Sequence, residues 1–106
     1  MKIVFIGTVE FSKKALQKLI ELNARVVGVC TKEKSEFNND FADLRPLCEK
    51  NKIPIKFVNE INSIDNYNWI KSLNPDIIFC FGWSSLLKKE ILTLAPMGVL
   101  GFHPSK

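Results

Sequence analysis

The residue best suited to acid–base chemistry is His103, the only histidine in the chain, which lies in the final stretch GVLGFHPSK. An imidazole exchanges its proton near neutral pH, so it can serve as a general acid or base. Pro104 follows directly and restricts the backbone at that point. From residue type and position alone, a catalytic role and a structural role for His103 are equally favoured.

A second candidate is the aromatic run Phe81, Gly82 and Trp83. A planar ligand can stack on such side chains, and a glycine between them allows its backbone to come close. Ordinary packing of the aromatic rings against the next helix is an equally good alternative.

The stretch GTVEFS near the start offers a third candidate site. A glycine leading into a helix leaves N–H groups that can bind an anion, so Gly7 and Thr8 are candidate substrate-binding residues. The alternative, which we favour, is that Gly7 only makes the turn. The two further glycines of a dinucleotide fingerprint are missing, and Cys30 and Thr31 stand where an acidic residue is needed. The sequence therefore argues against a nicotinamide cofactor.

Five short apolar runs predict the strands that position these candidates. Segments with helical periodicity separate the runs, and this alternation predicts a single α/β domain with a Rossmann-like parallel sheet, helices on both faces and strand order 3-2-1-4-5. The predicted strands are 2–6, 25–30, 54–58, 76–81 and 98–102, and the predicted helices are 10–23, 43–51, 63–75 and 84–96.

Helix boundaries follow from capping residues. Asp43 is expected to cap the second helix, with Pro46 in its first turn, and Ser84 or Ser85 to cap the fourth. Ligands of such sheets bind outside the carboxyl ends of the strands, near the point where the strand order reverses. Three loops should meet there: Gly7 to Val9, Gly82 to Ser84 and His103 to Ser105.

The composition of the chain argues against several classes of binding partner and site. The chain has 106 residues, a net charge of +4 and a pI near 9.1, but its lysines are scattered over predicted helices, which makes nucleic-acid binding unlikely. Its three cysteines have no C-x-x-C spacing, so neither a metal site nor a disulfide framework is expected. No run is long enough for a signal peptide or membrane span, so we expect a cytoplasmic protein without a membrane partner.

The stretch 76–106 resembles the amino-terminal half of the formyltransferase family, whose members use 10-formyltetrahydrofolate and include methionyl-tRNA and amino-sugar formyltransferases. The opening 2–20, with its G-T-x-x-F turn, looks like the start of the same family. The residues that carry the resemblance are Leu86, Leu87, Leu94, Ala95, Pro96, Gly98, His103 and Ser105.

This resemblance implies that His103 is the catalytic proton shuttle and that 10-formyltetrahydrofolate is the formyl donor, with no metal. It further implies that Ser85, Leu86 and Leu87 lie against the pterin and that Phe81 and Trp83 line the same wall.

Two departures from the family pattern matter. The family asparagine two residues before the histidine is Gly101 here, and the downstream aspartate would lie beyond Lys106. The resemblance thus makes residues 1–106 an amino-terminal fragment that we expect to be inactive alone.

The implied acceptor is a primary amine. Because the residues around His103 look closer to the amino-sugar branch, an amino-sugar nucleotide is expected ahead of methionyl-tRNA. The alternative from another class is a small Rossmann-like nucleotide-binding module in which His103 has only a structural role.

Overall fold

Five parallel strands form the sheet in the computed structural model. The structure describes residues 1–34, 39–83 and 85–102, and of Phe102 it describes the backbone only. The strand order is β3-β2-β1-β4-β5, as the sequence predicts. The order reverses beside β1, the first strand, which pairs with β2 on one side and β4 on the other. The strands are β1 (Lys2–Ile6), β2 (Arg25–Thr31), β3 (Ile55–Phe57), β4 (Ile77–Phe81) and β5 (Val99–Phe102).

The helices are α1 (Glu10–Glu21), α2 (Arg45–Lys50), α3 (Ile64–Ser72) and α4 (Lys89–Leu92). Ser63 caps α3 by accepting a hydrogen bond from the Asn66 N–H at 3.3 Å. Pro46 lies in the first turn of α2, as predicted. The predicted cap Asp43 does accept the Arg45 N–H at 3.0 Å, but the residue in the cap position is Leu44.

Side chains along each strand alternate between the two faces of the sheet, so both faces are apolar. Helices cover both of these faces. On β1, Val4 and Ile6 join a core cluster with Ile70 of α3 and Ile91 of α4. Phe5, between them, joins a second cluster on the opposite face, where residues of α1 and α2 pack. In the part of the chain that the structure describes, no helix is long and apolar enough to cross a bilayer.

The fourth helix is much shorter than the sequence predicts. Only Lys89–Leu92 is helical, and the cap position is Lys88, whose φ of −91° and ψ of 173° are extended. The predicted cap at Ser85 is therefore wrong, and Ser84 lies outside the described residues. The cause is tertiary: Leu87 is buried in the core, and the Asn62 side chain pairs with the backbone on both sides of it.

Candidate functional site

The carboxyl ends of β1, β4 and β5 lie side by side, as expected for a ligand-binding edge. β4 and β5 pair in register up to Phe81 and Phe102, the last residue of each strand. His103, the predicted catalytic residue, comes next in the chain and lies outside the described residues. Its role stays a prediction from the sequence.

A cavity of about 240 Å³ opens beside this edge, between β4, β5 and the segment that precedes α4. Its walls contain Ser85, Leu86 and Leu87, the three residues predicted to lie against a pterin. The structure thus brings these three predicted site residues together around one cavity. The other lining residues are Cys80, Leu92, Val99 and Gly101.

Phe81 and Trp83, predicted for the same wall, lie on opposite faces of the sheet. The Phe81 ring packs with the α1 side of the core, where its centroid is 5.8 Å from that of Phe11. Trp83 is 2% exposed and belongs to the cluster that contains Leu87, on the α3 and α4 side. The Lys32 ammonium lies 5.5 Å from the Trp83 ring centroid, within cation–π range. Trp83 is therefore the nearer of the two aromatic residues to the Leu87 wall.

The loop after β1 is closed by Ser12, which the sequence analysis did not single out. Its fully buried hydroxyl donates to the Phe81 carbonyl oxygen at 2.5 Å. The Ser12 Oγ accepts the N–H groups of Thr8 and Val9 at 3.1 and 3.2 Å. The Gly7 N–H donates to the Cys30 carbonyl oxygen at 3.1 Å, so the N–H groups that Gly7 and Thr8 were expected to offer a substrate are used inside the protein. A polar residue in the first turn of an otherwise apolar helix face was the only sequence signal for this role.

Two glycines pack against the Ser12 hydroxyl. A side-chain carbon at Gly7 would lie 2.6 Å from the Ser12 Oγ and closer still to the Phe81 carbonyl oxygen. Gly82 has a φ of 73°, a left-handed conformation, and a side chain there would also meet Ser12. These contacts account for Gly7 as the residue that makes a tight turn, while substrate binding by Gly7 and Thr8 remains a prediction.

Gly101, where the family has asparagine, lies on β5 opposite Cys80 and lines the cavity. A Cβ added there would be 3.3 Å from the Cys80 carbonyl oxygen, closer than an ordinary van der Waals contact. The neighbouring strand would have to shift by a few tenths of an ångström to admit any side chain.

The Cys80 thiol, which lines the cavity, has low reactivity near neutral pH. Burial raises the pKa of Cys80 to about 11, so near neutral pH it is a protonated, weakly nucleophilic thiol. Burial also raises the pKa of Cys30 to about 12, with the Lys56 ammonium acting in the opposite direction. These two groups are unsuited to nucleophilic catalysis. Across residues 1–34, 39–83 and 85–102, no three His, Cys, Asp or Glu side chains form a group able to hold a metal ion.

Relatives of known name cover nearly the whole chain, although no family model matches it. Three proteins named methionyl-tRNA formyltransferase are 34% identical (Clostridioides difficile strain 630), 32% identical (Kosmotoga olearia) and 31% identical (Thermotoga sp. strain RQ2). Each alignment is 109 positions long and covers 99% of this chain and 35% of the relative. The chain thus spans about one third of the length of the curated relatives it matches.

A solved structure agrees on the fold. Glycinamide ribonucleotide transformylase 1 from Symbiobacterium toebii superposes with a TM-score of 0.71 and 14% sequence identity, covering 100% of this chain and 52% of that one. At this identity the likeness speaks for the fold alone. The curated relatives agree with the resemblance that the stretch 76–106 carries. Over nearly its whole length, the chain is similar in sequence to members of the formyltransferase family.

Proposed function

We propose that the protein takes part in the transfer of a formyl group from 10-formyltetrahydrofolate to a primary amine. The observation that carries the proposal is the cavity at the carboxyl edge of the sheet, walled by Ser85, Leu86 and Leu87. Leu86 and Leu87 match the family pattern, and the three residues lie near the edge where parallel sheets bind ligands. The sequence similarity to formyltransferases supports the same conclusion.

The donor's pterin ring is planar, with apolar faces and polar edges. The cavity suits the apolar faces of the ring, because leucine side chains and the Cys80 thiol supply apolar walls. We propose that Leu86 and Leu87 cover the pterin, with Ser85 at its rim. Phe81 and Trp83 would contribute by holding the end of β4 in place from the two faces of the sheet.

In the proposed reaction the acceptor nitrogen attacks the formyl carbon, and the bond between that carbon and N10 of the folate breaks. The amine loses a proton and N10 gains one. His103 would move this proton and, as imidazolium, stabilise the negative oxygen of the tetrahedral intermediate. With Gly101 in the place of the family asparagine, a different donor would have to complete that stabilisation.

Two acceptors are supported by different observations. The names of the relatives favour methionine carried on tRNA. The residues around His103 favour an amino-sugar nucleotide, which the sequence analysis placed first. Both present a primary amine, so the chemistry at the formyl carbon is the same.

The test is to incubate the protein with 10-formyltetrahydrofolate and either methionyl-tRNA or an amino-sugar nucleotide, and to follow formylation of each acceptor by mass spectrometry. Binding of 5-formyltetrahydrofolate, a stable analogue of the donor, is measured beside binding of ATP. We expect residues 1–106 to bind the folate analogue, and we expect formylation of one acceptor in protein that also carries the downstream part of the family pattern. Binding of ATP without binding of the folate analogue would instead support the nucleotide-binding alternative and reject our proposal.

A further inference from the structure

One side chain from a distant segment holds the backbone of the cavity wall. The Asn62 Nδ2 donates to the Leu86 carbonyl oxygen at 2.8 Å, and the Lys88 N–H donates to the Asn62 Oδ1 at 2.8 Å. A single carboxamide thus pairs with the backbone on both sides of Leu87, as a neighbouring strand does in a β-ladder.

Asn62 is itself fixed by the turn between β3 and α3. Its N–H donates to the Glu60 Oε2 at 3.0 Å, and the Asn66 side chain donates to the Glu60 carbonyl oxygen at 2.6 Å. Ile61, beside it, is fully buried in the core, and Ser63 caps the helix that follows. The carboxamide is therefore presented from a well-anchored turn.

Pairing with Asn62 keeps residues 86–88 extended, and side chains along extended backbone alternate in direction. Leu87 is 8% exposed and points into the core, whereas Leu86 is 81% exposed. In an extended segment, the carbonyl of Leu86 and the N–H of Lys88 face the same way, so the N–H and carbonyl of Leu87 face away from Asn62. The backbone polar groups of Leu87 are thereby directed to the side opposite the carboxamide.

Without this pairing, the segment has a strong competing conformation. Leucine and lysine are good helix formers, and the periodicity of 84–96 predicts a helix from the start of that stretch. Extension of α4 by one turn would use the backbone carbonyl groups of 85–88 inside the helix and would turn their N–H groups toward its N-terminal end. It would also rotate Leu86 and Leu87 away from their present places beside the cavity.

We infer that Asn62 is a positioning residue for donor binding, which holds the Ser85–Leu87 wall in the extended conformation that receives the pterin. This inference rests on the proposed function, since it assigns the pterin to that wall. Asn62 does not line the cavity itself, so its effect on a ligand would pass through the backbone of Leu86 and Lys88.

The test compares Asn62→Ala with Asn68→Ala, an exposed asparagine on α3, in otherwise identical protein. Binding of 5-formyltetrahydrofolate is measured by titration well below the melting temperature of each variant. Asn62→Ala removes both hydrogen bonds to the wall, and the loss of even one can shift such an equilibrium by about tenfold, so we expect Kd to rise by at least about tenfold. Asn68→Ala should leave Kd unchanged.

Hydrogen exchange supplies the readout that a merely stabilising residue would not move. In Asn62→Ala, the Lys88 amide should exchange at least about tenfold faster while the amides of β1 and β4 keep their protection. Backbone chemical shifts of 85–88 should move toward helical values. Unchanged Kd in Asn62→Ala, or a Lys88 amide as protected as before, would overturn the inference.

Failure of the proposed function has a different signature. If the unaltered protein does not bind 5-formyltetrahydrofolate, the pterin assignment falls and the donor-positioning role of Asn62 falls with it. If the unaltered protein binds the analogue and both asparagine variants bind it equally well, the proposed function stands and only the role of Asn62 is rejected.

Discussion

At the carboxyl edge of the sheet, some side chains hold the backbone of the site in place, and others are candidates for a role in the reaction. The Ser12 hydroxyl and the Asn62 carboxamide are both engaged with backbone atoms of neighbouring loops. The Cys80 thiol borders the cavity but stays protonated. At the residue scale, this leaves His103 as the candidate for proton transfer, on the strength of the sequence.

In protein that formylates its acceptor, His103→Ala should lower kcat by about 10²–10⁴-fold, because a general acid–base group stabilises the transition state. The Kd for 5-formyltetrahydrofolate should change little, since the proposed pterin wall is Ser85–Leu87. Steady-state kinetics and titration check the two values. Near-normal turnover by His103→Ala, or a parallel loss of affinity, rate and melting temperature, would contradict the catalytic role.

Cysteine ionisation should make the protein less stable at alkaline pH. The ordinary thiol pKa is 9.0, and burial raises it to about 12 for Cys30 and to about 11 for Cys48 and Cys80. A raised native pKa favours the folded state below the unfolded pKa, and that contribution is lost as pH rises through the native value. We expect the free energy of unfolding to fall from pH 9 to about 11 through all three thiols, and on to about 12 through Cys30.

Urea unfolding at a series of pH values measures this slope, and Cys30→Ala provides the comparison. The variant should start from a lower stability because it lacks a buried side chain, but its stability should decline less steeply above pH 9. Equal slopes for the two proteins would show that the Cys30 thiol ionises as readily in the folded state as in the unfolded one.

Short elements of this fold are defined by their ends as much as by their interiors. α3 begins at Ser63, whose hydroxyl satisfies a first-turn N–H, and the same turn carries Asn62 toward the cavity wall. α4 begins only at Lys89, because the residues before it are paired with that asparagine. The start of one helix thus determines where the next one can begin.

Removing the α3 cap should destabilise the whole domain by a modest amount. Ser63→Ala leaves the Asn66 N–H without its acceptor and should cost about 1 kcal/mol, a typical value for a lost cap. The melting temperature should fall by about 4–8 °C in a domain of this size.

Ser72→Ala at the other end of α3 is the matched control for this substitution, since the Ser72 hydroxyl only donates back to the helix carbonyl of Trp69. Its stability should stay within about 0.5 kcal/mol of the unaltered protein, as is usual for a surface substitution. Equal losses in Ser63→Ala and Ser72→Ala would argue against a specific capping contribution.

The elements that the sequence predicted well are those defined by local pattern. All five strands lie where apolar runs bounded by turn residues predicted them, and their order is confirmed. The fourth helix was predicted too long because Asn62, 24 positions earlier than Leu86, overrides the local helix preference. The Ser12 contact with Phe81 joins residues 69 positions apart, so local periodicity could not predict it.

At the scale of the whole molecule, the sheet brings its candidate residues to one edge by topology. The cavity walls come from four places in the sequence: the end of β4, the segment before α4, α4 itself and β5. Among the described strands, β5 pairs only with β4. The cavity between them can therefore form only when β5 is paired with the sheet. Ligand binding and folding should therefore be thermodynamically linked.

That linkage predicts a ligand-dependent melting temperature. At a concentration 100 times its Kd, 5-formyltetrahydrofolate should stabilise the protein by about 2.7 kcal/mol. For a domain of this size, such a gain corresponds to a rise of at least about 10 °C. Differential scanning fluorimetry with ATP at the same concentration is the control. A rise with ATP and none with the folate analogue would count against the formyltransferase site.

The close packing of Gly7, Ser12 and Gly82 has a consequence for how this chain can vary. A side chain at either glycine would collide with the Ser12 hydroxyl, although Gly82 is far from the other two residues in the sequence. Their substitutions should consequently be non-additive, since residues in direct contact share the cost of any change. In a library randomised at these three positions, folded clones should be drawn from a few small-residue combinations, and single replacements should be rescued only by changes at the other two sites.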